Sequence, residues 1–372
     1  MTADGLYIGL ISGTSMDGID AALVELGDHT CKTLATRGHD YPKSLQDRLL
    51  AASRQPESIG VDELGRLDHA VGECFRDAAL GVIELAGADR AAIAAIGSHG
   101  QTVRHLPRDE EAFSLQIGDP NVIAAGTGIT TVADFRRRDI ALGGEGAPIA
   151  PGFHQWLFGE ASTTRVVLNI GGFANVTVLP GAGGKVTGFD TGPGNSLLDA
   201  WHRLHVGGPF DAGGAWAASG SIDERLLADC LDDPYFPALP PKSTGFEYFN
   251  LDWLERRLGG RDIAPADVQA TLLGLTVTSI ADVIQRHAVG AAEVLVCGGG
   301  VHNEALMVAL TDALRPAVVR STDTSGLHPD WVEAAAFAWL ASRTLRSLPG
   351  NLPDVTGARS SAVLGCIYPG IP

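Results

Sequence analysis

No C-x-x-C pair occurs in the 372 residues, and the five cysteines stand far apart, at 31, 74, 230, 297 and 366. An odd number at wide spacing makes neither a disulfide framework nor a cysteine zinc site; it predicts reduced thiols in a cytoplasm. Basic residues are scarce: 27 Lys plus Arg stand against 44 Asp plus Glu, a formal charge of −17. A field of that sign repels phosphate backbones and anionic lipid heads, so neither nucleic acid nor a membrane surface is expected as a partner. No run approaches the ~18 apolar residues of a membrane span. The opening Thr2-Ala3-Asp4-Gly5 lacks the basic stretch of a signal peptide. Common nucleotide and metal signatures are missing too. Gly13 and Gly18 match G-x-x-x-x-G, but Ile19-Asp20 stand where a Walker A motif needs Lys and Ser/Thr. There is no G-x-G-x-x-G for a Rossmann site and no His-Glu-x-x-His for zinc.

What the chain has is glycine. Its 47 glycines are nearly twice the usual share of roughly 7%, while 45% hydrophobic and 19% charged residues describe an ordinary globular protein of two domains or one large one. The glycines sit in short loops after apolar runs, where backbone can lie close to a ligand. Residues 6–11, a turn at 12–18 and residues 19–26 read as strand, glycine turn, strand. Residues 165–170, Gly171-Gly172 and residues 173–179 repeat that pattern about 160 residues later. That spacing is too long for a solenoid and fits a duplicated domain opening with a hairpin each time. Residues 294–297, then Gly298-Gly299-Gly300, lead into a helix over 304–314. Apolar spacing predicts helices over 269–287 and 330–348, the latter with an Asp330-x-x-Glu333 capping box. Residues 35–95 read as mostly helical and 234–241 as a proline-rich loop. The mixture is α/β.

Several segments can carry chemistry. The turn over 12–18 is rich in hydroxyls and glycine; its amides can cradle phosphate, with Asp17 and Asp20 holding Mg²⁺ through water, or it is an ordinary hairpin turn. Ser15 as a hydrolase nucleophile fails on context, since a strand follows where a helix is needed. In Gly188-Phe189-Asp190-Thr191-Gly192-Pro193-Gly194-Asn195 a carboxylate stands among glycines, fit for a general base or for starting a turn, with Asn195 capping a helix from Ser196. Asp-Thr-Gly also marks aspartic proteases, but those are all-β. His99, in Gly97-Ser98-His99-Gly100-Gln101-Thr102, can meet sugar hydroxyls or be a satisfied core histidine. Arg136, Arg137 and Arg138 form the only basic triplet, able to receive a carboxylate or phosphate, or to pair with Asp134 and Asp139.

Taken together these blocks resemble the actin–hexokinase–Hsp70 superfamily, and within it the anhydro-N-acetylmuramic acid kinase family. The matching segments are 9–20, 97–102, 133–139, 143–148, 168–175, 189–195, 241–245 and 296–303, blocks spread from residue 7 to about 357 and so over nearly the whole chain. The resemblance implies a two-lobed, actin/hexokinase-like (ribonuclease H-like) α/β fold of duplicated domains with a central ATP cleft. The expected division is an N-terminal lobe over 1–150, a C-terminal lobe over 151–350 and a tail over 351–372. It implies ATP-dependent phosphorylation of 1,6-anhydro-N-acetylmuramic acid at O6 with hydrolytic opening of the anhydro ring, for murein recycling. The alternative is another sugar kinase of that superfamily without ring opening. By the same resemblance, Gly13, Thr14, Ser15, Met16, Asp17, Gly18, Ile19 and Asp20 bind ATP phosphates. So do Gly171, Gly172 and Asn175 at the second hairpin, while Gly298, Gly299, Gly300 and Asn303 lie near adenosine. Asp190 is the catalytic base. Glu333 and one arginine of the triplet, Arg138 before Arg136, match sugar-binding positions, His99 is a further sugar-binding candidate from its own segment, and a homodimer is the family expectation.

Overall fold

The protein is described here from a computed structural model covering residues 5–13, 16–181, 183–240 and 242–370. The chain forms two compact units: Met1–Leu157 with Trp331–Pro372, and Phe158–Asp330.

In the first unit the glycine turn joins β1 (Gly5–Ile11) to β2 (Gly18–Leu26) as an antiparallel hairpin, and β3 (Cys31–Asp40) adds to its outer edge. The chain then crosses through the long helix Val61–Ala86 to β4 (Ile93–Ser98), parallel to β1. A separate hairpin, β5 (Gln101–Leu106) and β6 (Phe113–Ile117), precedes β7 (Thr131–Ala133), parallel to β4. The last strand, Cys366–Tyr368, closes the far edge against β7. Residues 35–40 are therefore strand, not helix: they pair antiparallel with β2, from Ala35 opposite Leu23 to Asp40 opposite Gly18. The helix Val61–Ala86 buries Leu67, Val71, Phe75, Ala78 and Val82 on one stripe, into a core with Ile8, Leu10 and Leu23. It stops at Gly87, left-handed at φ 61°, whose N–H donates to Glu84 while Ala88 donates to Ile83.

The second unit repeats the design. β8 (Arg165–Ile170) and β9 (Phe173–Leu179) form the second hairpin, β10 (Thr187–Pro193) lies antiparallel outside β9, and β11 (Glu293–Cys297) and β12 (Val318–Ser321) run parallel on the other side of β8. Both sheets thus share the order third, second, first, fourth, fifth, with three antiparallel strands leading and two parallel ones following, and the first sheet adds Cys366–Tyr368 as an antiparallel sixth strand. The helix Pro265–His287 fills this unit's core. By length and composition it is apolar enough to cross a membrane, but 83% of its most apolar window is buried within the protein.

The unit boundary departs from a contiguous split at 150 and 350. The helix Val332–Leu345 belongs to the first unit, where its backbone lies directly on β1 and β4. Gly9 and Gly97 make this possible: a Cβ at either would fall on the carbonyl of Ala334 or Phe337. Nor does the expected capping box form. The helix starts at Val332 without a side-chain cap, and Asp330 is held 2.9 Å from His302 Nε2 instead.

Candidate active site

The first glycine turn is fastened from below. Ser12 Oγ lies 2.6 Å from both the Gly18 carbonyl and Gln101 Oε1, and Gln101 Nε2 donates to the Gly13 carbonyl at 3.1 Å. Met16 takes φ 53° and donates its N–H to Gly13 at 3.3 Å. Asp17 and Asp20 are exposed, Asp20 facing Ile11 across the hairpin. Thr14 and Ser15 lie outside the described residues. Gln101 and Ser12 were not singled out from the sequence. Their pairing spans 89 positions, and only the parallel register of β1 with β4 brings them together.

The arginine triplet divides by burial. Arg136 turns inward: Nε and Nη2 reach His99 Nε2 at 3.0 and 2.9 Å, and Nη1 donates to the Gly146 carbonyl at 2.9 Å. Because His99 Nε2 accepts from a permanent cation, the ring is neutral with its proton on Nδ1. Burial first, and Arg136 second, hold His99 well below the usual histidine range. Its ring packs on Phe337 at 4.7 Å. Arg137 pairs with Asp134 at 2.8 Å, and Arg138 is exposed. Asp139 does not meet an arginine. Fully buried, it accepts from the Gly146 N–H at 2.8 Å, Asn351 Nδ2 at 2.6 Å and Thr356 Oγ1 at 2.8 Å, so the tail fixes the loop that holds Arg136. Glu333, in the first turn of the last long helix, is reached by water at its surface. Crowding by protein nevertheless holds its carboxyl above the usual range, and Arg136 opposes that rise.

In the second unit the expected phosphate and adenosine segments meet. The Gly171 carbonyl accepts from Asn195 N–H at 2.9 Å, and the Gly172 carbonyl from Gly194 and Ser196 at 2.9 and 3.0 Å. Gly298, at φ 80°, and Gly300 press against Asn169 and Ile170 at the root of the same turn. Asn195 does not cap its helix by side chain; its Nδ2 donates to the Ile170 carbonyl at 3.3 Å. Asn303 does cap, accepting from Leu306 N–H at 3.0 Å.

Asp190 lies on β10 opposite Asn175 of β9, and the register slips by one residue between Asp190 and Gly192. A bulge of this kind re-aims a side chain beside it. Thr244 N–H donates to Asp190 Oδ2 at 3.0 Å. Burial pushes the carboxyl up to about 6, against the lowering effects of that N–H and of Lys242. Such a group is ionised at neutral pH yet basic enough to take a proton there, which is what a general base requires. Among the described residues no three His, Cys, Asp or Glu side chains gather as a metal site. The exposed Asp17 and Asp20 suit Mg²⁺ held chiefly by water and phosphate, since that ion needs only one or two carboxylates.

Two sheets that share the order of their first five strands, each opened by a glycine hairpin, define an actin/hexokinase-like α/β protein, and in it Asp190 is a carboxylate raised by burial beside the second glycine turn. The sequence model of the family described as AnmK, anhydro-N-acetylmuramic acid kinase, matches residues 5–370, and the chain belongs to that family. It is 51% identical over 363 residues to the anhydro-N-acetylmuramic acid kinase of Coxiella burnetii, covering 97% of each chain. It is also 51% identical over 371 residues to that of Xanthomonas campestris pv. campestris, covering 99% of this chain and 98% of that one. Among solved structures, component A of the Acidaminococcus fermentans (R)-2-hydroxyglutaryl-CoA dehydratase overlaps 91% of this chain and 99% of its own. There the TM-score is 0.47 and the identity 12%.

Proposed function

We propose that this protein is an ATP-dependent kinase of 1,6-anhydro-N-acetylmuramic acid that opens the anhydro ring as it phosphorylates O6, yielding N-acetylmuramic acid 6-phosphate for murein recycling. The observation that carries the reading is Asp190: a half-buried carboxylate, raised to about 6, at a bulge beside the second glycine turn. Full-length similarity to kinases of that name supports the substrate.

The chemistry balances with one base. Asp190 takes a proton from water as its oxygen attacks C1. The C1–O6 bond breaks, O6 bonds to the γ-phosphorus, and ADP leaves. A glycosidase needs a second carboxylic acid to protonate the leaving oxygen; here the phosphoryl group takes that place. Glycine-turn amides at 13–18 and 171–172, Asn175 and the 298–300 turn with Asn303 bind the nucleotide. Arg136, with Arg138, receives the sugar's lactyl carboxylate by charge-assisted hydrogen bonds, His99 holds the Arg136 fork through Nε2, and Glu333 meets the sugar's hydroxyls and amide. Mg²⁺ at Asp17 and Asp20, when bound, neutralises phosphate charge.

The test is the product formed from ATP, Mg²⁺ and the anhydro sugar in ¹⁸O water. The expected product is a phosphorylated sugar with one ¹⁸O at C1. Phosphate added with the ring intact refutes coupled hydrolysis and favours an ordinary sugar kinase.

A further inference from the structure

Three hydrogen bonds tie Asp190 to a single loop. Its N–H donates to the Lys242 carbonyl at 3.1 Å, its carbonyl accepts from the Tyr235 hydroxyl at 3.0 Å, and its Oδ2 accepts from Thr244 N–H. The partners come from opposite ends of that loop, residues 235–236 and 242–244. One side chain joins the two ends. Lys242 Nζ donates to the carbonyls of Tyr235 at 3.2 Å and Phe236 at 3.1 Å, and lies 4.5 Å above the Tyr235 ring. A cation over an aromatic face, with two carbonyls around it, is held in place by electrostatics from three sides.

We propose that Lys242 is a positioning residue: its ammonium closes the loop onto β10 so that Thr244 N–H holds the Asp190 carboxylate and the Tyr235 hydroxyl holds the Asp190 backbone carbonyl. The proposal rests on the reading of Asp190 as base and deepens it.

The charges around the pair support this. Of the groups that act on Asp190, Lys242 is the cation, and Tyr235 stays neutral because burial raises its hydroxyl. From the helix Pro265–His287, Arg286 acts on Lys242, and Lys242 in turn acts on His287. Arg286 is paired with Asp282 at 3.0 Å, and His287, edge-on to Phe189 at 5.1 Å, is held below the usual histidine range by burial, Lys242 and Arg286. Burial and Arg286 weaken the Lys242 ammonium, and Asp190 restores it. The two groups therefore sustain each other's charge.

The experiment is kcat and KM against pH for Lys242→Met, Lys242→Arg and Tyr235→Phe, with Asp190→Asn as control and circular dichroism for folding. Lys242→Met is expected to move the acid limb of kcat upward by about half a pH unit or more and to lower the plateau roughly tenfold, with both KM values moving less than about threefold. Lys242→Arg restores the limb, because the charge returns. Tyr235→Phe leaves the limb in place and lowers the plateau several-fold. A Lys242→Met enzyme with wild-type limb and plateau, beside an inactive Asp190→Asn, overturns the proposal alone. An active Asp190→Asn overturns the base reading and the proposal with it. If Lys242→Met does not fold, a wild-type plateau in Tyr235→Phe, beside an inactive Asp190→Asn, overturns the proposal.

Discussion

If Asp190 acts as the base, one environment sets both activity and stability, with opposite signs. Burial raises its carboxyl from the ordinary 3.8 to about 6. With that value the group is about nine-tenths ionised at pH 7 and about one-tenth at pH 5. Turnover, which needs the ionised form, is expected to fall about tenfold between those pH values; a carboxylate left at 3.8 would lose almost nothing. Stability runs the other way. Below 3.8 the carboxyl is protonated folded and unfolded, and contributes no difference. Above 6 it is ionised in both states, and the folded state bears the full desolvation cost. The shift corresponds to about 3 kcal/mol, reduced to about 2 because the group keeps part of its hydration. Asp190→Asn retains an oxygen for Thr244 N–H and removes the charge. It is therefore expected to lower kcat at least roughly a thousandfold, the loss of base and orientation together, and to raise Tm by several degrees at pH 7.5. At pH 4 most of that gain disappears. A coupled ADP-release assay and calorimetry at the two pH values measure both effects. An acid limb centred near 4, or an Asn variant equally shifted in Tm at pH 4 and 7.5, refutes the reasoning.

Two more outcomes follow from particular contacts. Gly97→Ala puts a Cβ on the Phe337 carbonyl, where the last long helix lies on β4. It is expected to cost at least about 2 kcal/mol, read as a lower urea midpoint at unchanged slope. Arg136→Lys loses the fork that grips His99 Nε2 and Gly146 at once. The expected result is a KM for the sugar raised roughly tenfold with the KM for ATP unchanged, and equal effects on both would remove Arg136 from sugar recognition.

The two hairpins could be read directly because their signals are local: an apolar run, a glycine turn and a second run lie within about twenty residues, and no distant contact is needed to specify them. The same holds for Gly298-Gly299-Gly300 leading toward a capped helix at Asn303. The spacing of the repeats announced the duplication that the matched strand orders display. The capping box at Asp330 and the cap at Asn195 followed local rules that longer-range partners overrode: His302 takes Asp330, and Ile170 takes the Asn195 amide. Residues 35–40 misled because an edge strand is only half buried and shows little of the apolar alternation that marks a strand.

The sequence by itself determined the family, the α/β class and the glycine turns, since each is written in contiguous residues. Only the tertiary structure decided which arginine of the triplet turns inward, that Asp139 serves the loop and not an arginine, and that the helix at 332–345 belongs with the first sheet. It also decided that a loop fifty residues downstream holds Asp190. The physical reason is the same in each case. A hydrogen bond between residues far apart leaves no period or spacing in the sequence, and burial, which sets the Asp190 and His99 protonation states, is a property of the packed chain.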